Sequence, residues 1–362
     1  MRKLFNNAAA DIPASVVVFL VALPLCLGIA LGSGAPLFSG IIAGIVGGIV
    51  IGLLSGSSLS ISGPAAGLTA IVAVAIGKMP AYEAFLVAVV IAGIIQLILG
   101  VFKAGIIGDY IPNSVIRGML ASIGLVLILK QFPHLIGYDK DYSGDETFIQ
   151  PDDNNTFSEL INAINDITPF AFIIGFVSVL ILIVWDRPAL KKKKFFKNLP
   201  GPLVVVVTGI LINILFSVPG TRTSLNNLQL VNLPVATDFA SFSSFFMFPK
   251  WEYINNPDVW IAGLTIALVA SIETLLGIEA IDKLDPLKRR TPANQELKAQ
   301  GVGNMISGLL GGLPLTSVIV RGSANVEAGA KSKLSAILHG FLLLLSVLFI
   351  PNLLNKIPLS AL

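Results

Sequence analysis

Apolar residues in this chain run together rather than alternating with polar ones. Continuous apolar stretches at 14–31, 38–54, 84–102, 168–185, 202–218, 259–278 and 334–350 each come close to the ~20 residues that carry an α-helix across a bilayer. With shorter, glycine-rich stretches included, the pattern predicts eleven spans, at 11–33, 38–54, 63–77, 82–102, 110–132, 165–186, 199–218, 258–280, 297–311, 321–331 and 332–350. A twelfth is expected to begin near Ile357. The fold class is therefore an all-α polytopic membrane protein. Composition agrees: 54% of the 362 residues are hydrophobic and 12% charged, with a mean hydropathy of +0.85, whereas soluble domains carry about 25% charged residues.

The charged residues between spans set a topology. The segment 186–198 holds six Lys/Arg against one Asp, and 282–298 holds five basic residues against three acidic, whereas 138–159 holds seven acidic residues and one lysine. By the excess of Lys/Arg on cytoplasmic loops, the first two and the N-terminus lie inside and the acidic segment outside. The span count then closes with the N-terminus cytoplasmic. The first apolar run reads as a span rather than a cleaved signal, because Pro13 and Pro24 interrupt it and further spans follow at once. One cysteine, Cys26, excludes an intrachain disulfide, and with His134 and His339 far apart no zinc site is expected. Gly44, Gly47, Gly48 and Gly52 recur at helix spacing and read as close helix contacts. No nucleotide loop, haem motif or hydrolytic constellation is present, so an enzyme is not expected.

Two segments do not fit a simple span. GLLSGSSLSISGPAAGLTAIV (52–72) and GLLGGLPLTSVIVRGSANVEAG (308–329) share a plan: a GLL-small-Gly opening, then small, hydroxyl and β-branched residues, then a Gly before a short helical stretch. Such backbone at membrane depth is tolerated only when buried in protein or lining a wet cavity. Paired interrupted helices in two halves of a chain point to a transporter site. The segments are spans 3 and 10, seven apart, and an odd offset means opposite insertion. Their helix starts would then converge with unpaired N–H groups and positive dipole ends, which favours an anion. Arg321, at the start of the second half-helix, adds a full charge that never deprotonates. Alternatively, Arg321 pairs with an acid such as Glu273 or snorkels to an interface.

These residues resemble a known family. DIPASVVVFLVALPLCLGIALGSGAPLFSGI, IPNSVIRGMLASIGLVLILKQFPHLIG, LVASIETLL and GGLPLTSVIVRGSANVEAGAKSKLSAI are similar to the first, fifth, eighth and tenth spans of the sulfate permease (SulP) family of solute-carrier anion transporters. The resemblance implies two inverted seven-span repeats, with a core of spans 1–4 and 8–11, a gate of spans 5–7 and 12–14, and elevator-like motion between them. It further implies an anion site made of Gly63, Pro64, Ala65, Ala66 and Thr69 with Val320, Arg321, Gly322 and Ser323. At the acidic position of span 8 stands Glu273, which in cation-coupled relatives helps hold Na+ or a proton.

Two departures bear on the site, since Leu25 stands where family members often have glutamine and Val320 where some have serine. The resemblance also implies gate spans, and usually a cytoplasmic regulatory domain, beyond NKIPLSAL, so the chain is expected to be truncated after about eleven to twelve spans. The organisation expected is 1–137 for spans 1–5, 138–164 for an external acidic loop and 165–218 for gate spans 6–7. It continues with 219–257 as an external, partly ordered connection, 258–350 for core spans 8–11, and 351–362 for the start of a further gate span. The function expected is secondary active transport of sulfate or bicarbonate across the cell membrane, by cation symport or anion exchange. No cofactor is expected beyond Na+ or H+ as coupling ion. The partners are a small inorganic anion and membrane lipids, with a homodimer compatible and no nucleic acid. An anion channel, a nucleobase permease of the same fold and an inactive fragment are the alternatives.

Overall fold

In the computed structural model the described residues are 6–110, 112–140, 155–185, 187, 190, 196, 199–216, 223–235 and 238–362. Each of the eleven expected spans holds a helix: α1 (Ala8–Gly32), α2 (Leu37–Leu54), α3 (Ala66–Lys78), α4 (Tyr82–Val101), α5 (Asn113–Leu135), α6 (Pro169–Trp185), α7 (Gly201–Phe216), α8 (Pro257–Leu284), α9 (Ala293–Leu310), α10 (Ile319–Glu327) and α11 (Leu334–Phe349). By length and composition α1, α2, α4 and α8 are each sufficient to cross a membrane. The N-terminal Met1–Phe5, most of the acidic loop (141–154) and the four lysines at 191–194 lie outside the described residues.

The protein is mostly helical, as expected, and its two interrupted segments are where the backbone departs from helix. Two three-residue strands, β1 (Ser62–Pro64) and β2 (Leu315–Ser317), pair antiparallel in the register Ser62↔Ser317, Gly63↔Thr316, Pro64↔Leu315. They form because both segments are too rich in small, hydroxyl and β-branched residues to wind into helix, and backbone buried in a membrane must find partners somewhere. Each strand leads directly into a half-helix, β1 into α3 and β2 into α10.

Around this crossing the helices pack closely. Gly93 of α4 and Gly301 of α9 meet face to face, and a Cβ on either would fall 2.6 to 2.7 Å from the other's carbonyl oxygen. The expected packing glycines of α2 behave alike: Gly48 meets Gly340 of α11, Gly52 meets Ile337, and Gly47 meets the Ser62 carbonyl. Across Gly47–Ile51 α2 relaxes into a π-helical turn, a distortion that tends to occur at functional sites. Near the start of α1, Asp11 accepts hydrogen bonds from Lys331 N (2.7 Å) and Ser332 N (3.0 Å), tying the α10–α11 link to the chain's first helix.

One large apolar cluster joins α1, α2, α4 and α8 (Leu23, Ile41, Phe85 and Ile266 among its members). A separate one joins α6 and α7 through Phe170, Ile174 and Val205, and includes Ala361. The connection after α7 is ordered where its aromatics meet Phe38, which contacts Phe242, Phe245 and Phe246 with ring centroids 5.0 to 5.9 Å apart. Around Ile357, where a further span is expected to begin, the described residues form short turns. Pro351–Leu354 makes one turn and Leu359–Ala361 another, with Pro358 between them bridging to Leu230.

The glycine contact between α4 and α9 yields a test. Gly93→Leu should force the helices apart at a cost of about 1–3 kcal/mol, read as a lower melting temperature of the detergent-solubilised protein. An unchanged melting temperature would show that this contact is not tight.

Candidate functional site

The two half-helices start side by side because the strands before them are paired. Neither start is capped by a side chain: Ala65 precedes the first turn of α3 and Val318 that of α10, and neither makes a side-chain capping bond. The first N–H groups of a helix have no intrahelical partner, so both ends present donors and the positive ends of their dipoles.

Arg321 lies in the first turn of α10 and is fully buried, the largest such side chain in the protein. Its guanidinium reaches back across the crossing to β1. There Nη2 donates to Pro64 O at 3.5 Å, and Nη1 rests against Gly63 where any Cβ would collide with it. Nε and Nη1 have no hydrogen-bond partner. Burial disposes of the snorkelling alternative, and among the described residues no ion pair joins Arg321 to Glu273. Each buried donor left without a partner costs about 1–3 kcal/mol, so this guanidinium is poised for something beyond the chain's own packing. Cys26 of α1 and His339 of α11 lie within its electrostatic reach.

The other expected residues distribute as follows. Thr316 of β2 stands opposite Gly63, and opposed residues of an antiparallel pair share a face, so its hydroxyl is on the guanidinium's side of the ribbon. Thr316 Oγ1 and Thr69 Oγ1 are both buried without partners. Ala65 is buried and Ala66 half-buried at the start of α3, and Val320 is half-buried in the first turn of α10. Gly322 is pressed against Ile281, and Ser323 Oγ donates to Val320 O at 2.9 Å, so that hydroxyl serves its own helix. Glu273 of α8 approaches from elsewhere. Its carboxylate lies against Gly67, where a Cβ would fall 3.0 Å from Oε1, beside the first turn of α3. The crossing thus gathers Gly63, Pro64, Thr316 and Arg321, with Glu273 at the neighbouring helix start.

A second set of polar residues, not anticipated from the sequence, holds the strands. Asn304 of α9 pairs with Leu315 as a strand would, Oδ1 accepting from Leu315 N at 2.6 Å and Nδ2 donating to Leu315 O at 3.1 Å. Gln300 Nε2 donates to Ser62 Oγ at 2.7 Å, Asn325 Nδ2 donates to Leu59 O at 2.9 Å, and Ser317 N donates to Thr274 Oγ1 at 3.4 Å. The signal was available: Glu296, Gln300 and Asn304 recur every fourth residue, placing amides and a carboxylate on one face of a helix.

At the end of α5, His134 Nδ1 and Asp139 Oδ1 are 2.5 Å apart in a buried pair. Burial pushes the Asp139 carboxyl above its ordinary range, and the bond to His134 offsets only part of this. Asp139 lines a cleft of about 260 Å³ between α1 and the 227–232 segment. A second cleft, about 330 Å³, runs between α1, the end of α10 at Glu327, and Trp185 and Pro202.

The model of the sulfate permease family matches residues 9–362. A putative sulfate transporter, YvdB, of Bacillus subtilis is 27% identical over 97% of this chain and 62% of its own length. The bicarbonate transporter BicA of Picosynechococcus is 26% identical over 99% of this chain and 60% of its own. The chain thus spans about three-fifths of the length of these relatives. Among solved structures, the transmembrane domain of a cyanobacterial BicA superposes with a TM-score of 0.62 at 24% identity, covering 99% of this chain and 86% of that one. Murine solute carrier 26 family member A9, an anion transporter in its inward-facing state, gives 0.63 at 16%, over 97% of this chain and 58% of that one. With its long apolar helices, the protein is a multi-pass membrane protein of this fold.

The Gly63–Arg321 contact is directly testable. Gly63→Ala should displace the guanidinium and cost about 1–3 kcal/mol, measured as a fall in melting temperature. Gly63→Ala with Arg321→Ala, which removes what the methyl strikes, should recover most of that loss. A double variant no better than Gly63→Ala alone would place the clash elsewhere.

Proposed function

The chain belongs to the sulfate permease family, and from that premise we propose that it is a secondary active carrier of a small inorganic anion, sulfate or bicarbonate. It sits in the cell membrane with its N-terminus in the cytoplasm. The observation that carries this reading is the buried Arg321 guanidinium with two unpartnered donors, set beside two uncapped helix starts. A helix start stabilises an anion by about 0.3–2 kcal/mol, whereas a unit charge ~4 Å away contributes roughly 4 kcal/mol at an effective dielectric of ~20. Arg321 is therefore the dominant attraction, and the dipoles and the Thr69 and Thr316 hydroxyls shape the site around it. Among the described residues Arg321 is the one cation placed at the crossing, which keeps binding moderate enough for release.

Two features support the inverted-repeat reading. The strand–half-helix units recur after equivalent helices, and they pair antiparallel, as opposite insertion requires. In this reading a core moves against a gate that contains α6 and α7; α6 packs in the smaller apolar cluster, while α7 gives Val205 to it and Val206 to the larger one. The cleft lined by Trp185 and Pro202 lies between these helices and α1. Coupling falls to Glu273: a carboxylate beside the first turn of α3 is placed to hold Na+ or H+ while the anion occupies the site. A nucleobase permease is disfavoured by Arg321, since a neutral base gains little from a guanidinium. A channel is separated from a carrier by kinetics.

In proteoliposomes, uptake of labelled sulfate and bicarbonate should saturate and show counterflow; linear, non-exchanging flux would identify a channel. Arg321→Ala should weaken anion binding by tenfold or more, on the order of 1.4 kcal/mol at least, with insertion intact. Glu273→Gln should abolish any dependence of uptake on Na+ or pH. Cation dependence persisting in that variant would remove Glu273 from coupling.

A further inference from the structure

Helix α9 carries Glu296, Gln300 and Asn304, all fully buried and none touching the anion site directly. Asn304 grips β2 through both backbone groups of Leu315. Gln300 uses its amide twice, donating to Ser62 Oγ of β1 at 2.7 Å and to Glu296 Oε1 at 3.1 Å. Glu296 Oε2 accepts from Ser55 Oγ at 2.5 Å, and Ser55 Oγ accepts from Ser57 N at 2.9 Å. The backbone of Gly56 donates to the same carboxylate. The Gln300 amide and the Gly56 N–H are fixed donors and the Ser55 hydroxyl donates as well, a set that a carboxylate accepts in full. Its place in the first turn of α9 adds the favourable end of a helix dipole.

We propose that Glu296 is a positioning residue for the anion site. A pair of three-residue strands is too short to fix its own register. Glu296 orients the Gln300 amide, Gln300 holds Ser62, and Asn304, one turn further along, holds Leu315. The spacing of β1 from β2, and with it the spacing of the two helix starts, is thereby set from α9. The serine-rich lead-in Ser55–Ser62 acquires a purpose as the set of donors and acceptors that this carboxylate organises. The inference rests on the anion site proposed above.

The test uses the whole protein, with equilibrium binding of labelled sulfate and of labelled bicarbonate in detergent and uptake after reconstitution. Glu296→Gln replaces an acceptor oxygen by an NH2, which Ser55 Oγ can accept only by turning its own proton away from this side chain. Kd and KM should rise about tenfold, the scale of a lost charge-assisted hydrogen bond, with turnover per folded molecule nearly unchanged. Ser62→Ala, which removes the last link alone, should shift Kd in the same direction. Combined with Glu296→Gln it should add nothing further, as residues acting through one chain do. The exchange Glu296→Gln with Gln300→Glu reverses the bond between the two side chains, leaves an amide oxygen for the Gly56 N–H, and should restore affinity, since serine hydroxyls accept either role.

A residue that only stabilised the fold would lower the amount of folded protein and leave Kd unchanged, and that result overturns the proposal, as does additivity with Ser62→Ala. Should Glu296→Gln fail to fold, Ser62→Ala and Gln300→Met decide: wild-type Kd in both overturns it. Arg321→Ala measured in parallel separates the two readings. Unchanged binding there removes the site itself, whereas lost binding there with wild-type Kd in the α9 variants removes only the positioning role.

Discussion

The structure depends on the crossing of Ser62–Pro64 with Leu315–Ser317. Non-helical backbone in the interior of a membrane protein has no water to turn to, and each unsatisfied group costs several kcal/mol. Two strands of three residues satisfy only part of each other. The remainder falls to side chains, which is why helices in an otherwise apolar protein carry buried Asn304, Gln300, Asn325 and Thr274, each bonded to a strand or its flanks. Remove the crossing and those polar groups have no reason to be buried. Remove them and the crossing has no defined geometry.

The same constraint governs where charge can sit. Among the described residues no ion pair joins buried Arg321 to an acid, yet it does not lie free in the protein: its guanidinium bridges from the second half-helix to the strand of the first. That bridge needs Gly63, because no other residue leaves space for Nη1. The glycine seen in the sequence as the residue before a half-helix is thus also the floor on which the charge rests.

Much of this was legible in the chain, for identifiable reasons. Span positions followed from apolar runs because a ~20-residue length is imposed by the bilayer. The two broken spans were legible because small and hydroxyl residues at helix-incompatible spacing leave few alternatives. The pairing of their strands was not, since register depends on contacts 250 residues apart, such as Ser62↔Ser317. The role of α9 was missed because Glu296, at the inner edge of its span, reads as one more charge of the 282–298 loop. Hydropathy averages such a residue away, and only its fourfold spacing with Gln300 and Asn304 distinguishes it from a solvated acid. Ser323, expected in the anion site, gives its hydroxyl to its own helix, and Ser62 is engaged by Gln300.

The distribution of satisfied and unsatisfied atoms around the crossing separates building from binding. On the side of α8 and α9 the strands are held by matched pairs, Leu315 with Asn304, Ser62 with Gln300 and Gln300 with Glu296, and of these side chains Gln300 Oε1 alone is left over. On the side where Gly63 opposes Thr316, the buried Thr316 Oγ1, Arg321 Nε and Arg321 Nη1 lack partners, as does Thr69 Oγ1 at the adjoining helix start. A protein that needed only rigidity would match both sides, since each mismatch costs stability. Rigidity on one side with unmet donors on the other is what moderate, reversible binding requires: the frame must not yield when the ligand leaves, and the ligand must find hydrogen-bonding capacity that the frame has not consumed. The polarity of the ribbon, more than the presence of any single residue, is what makes this crossing a site.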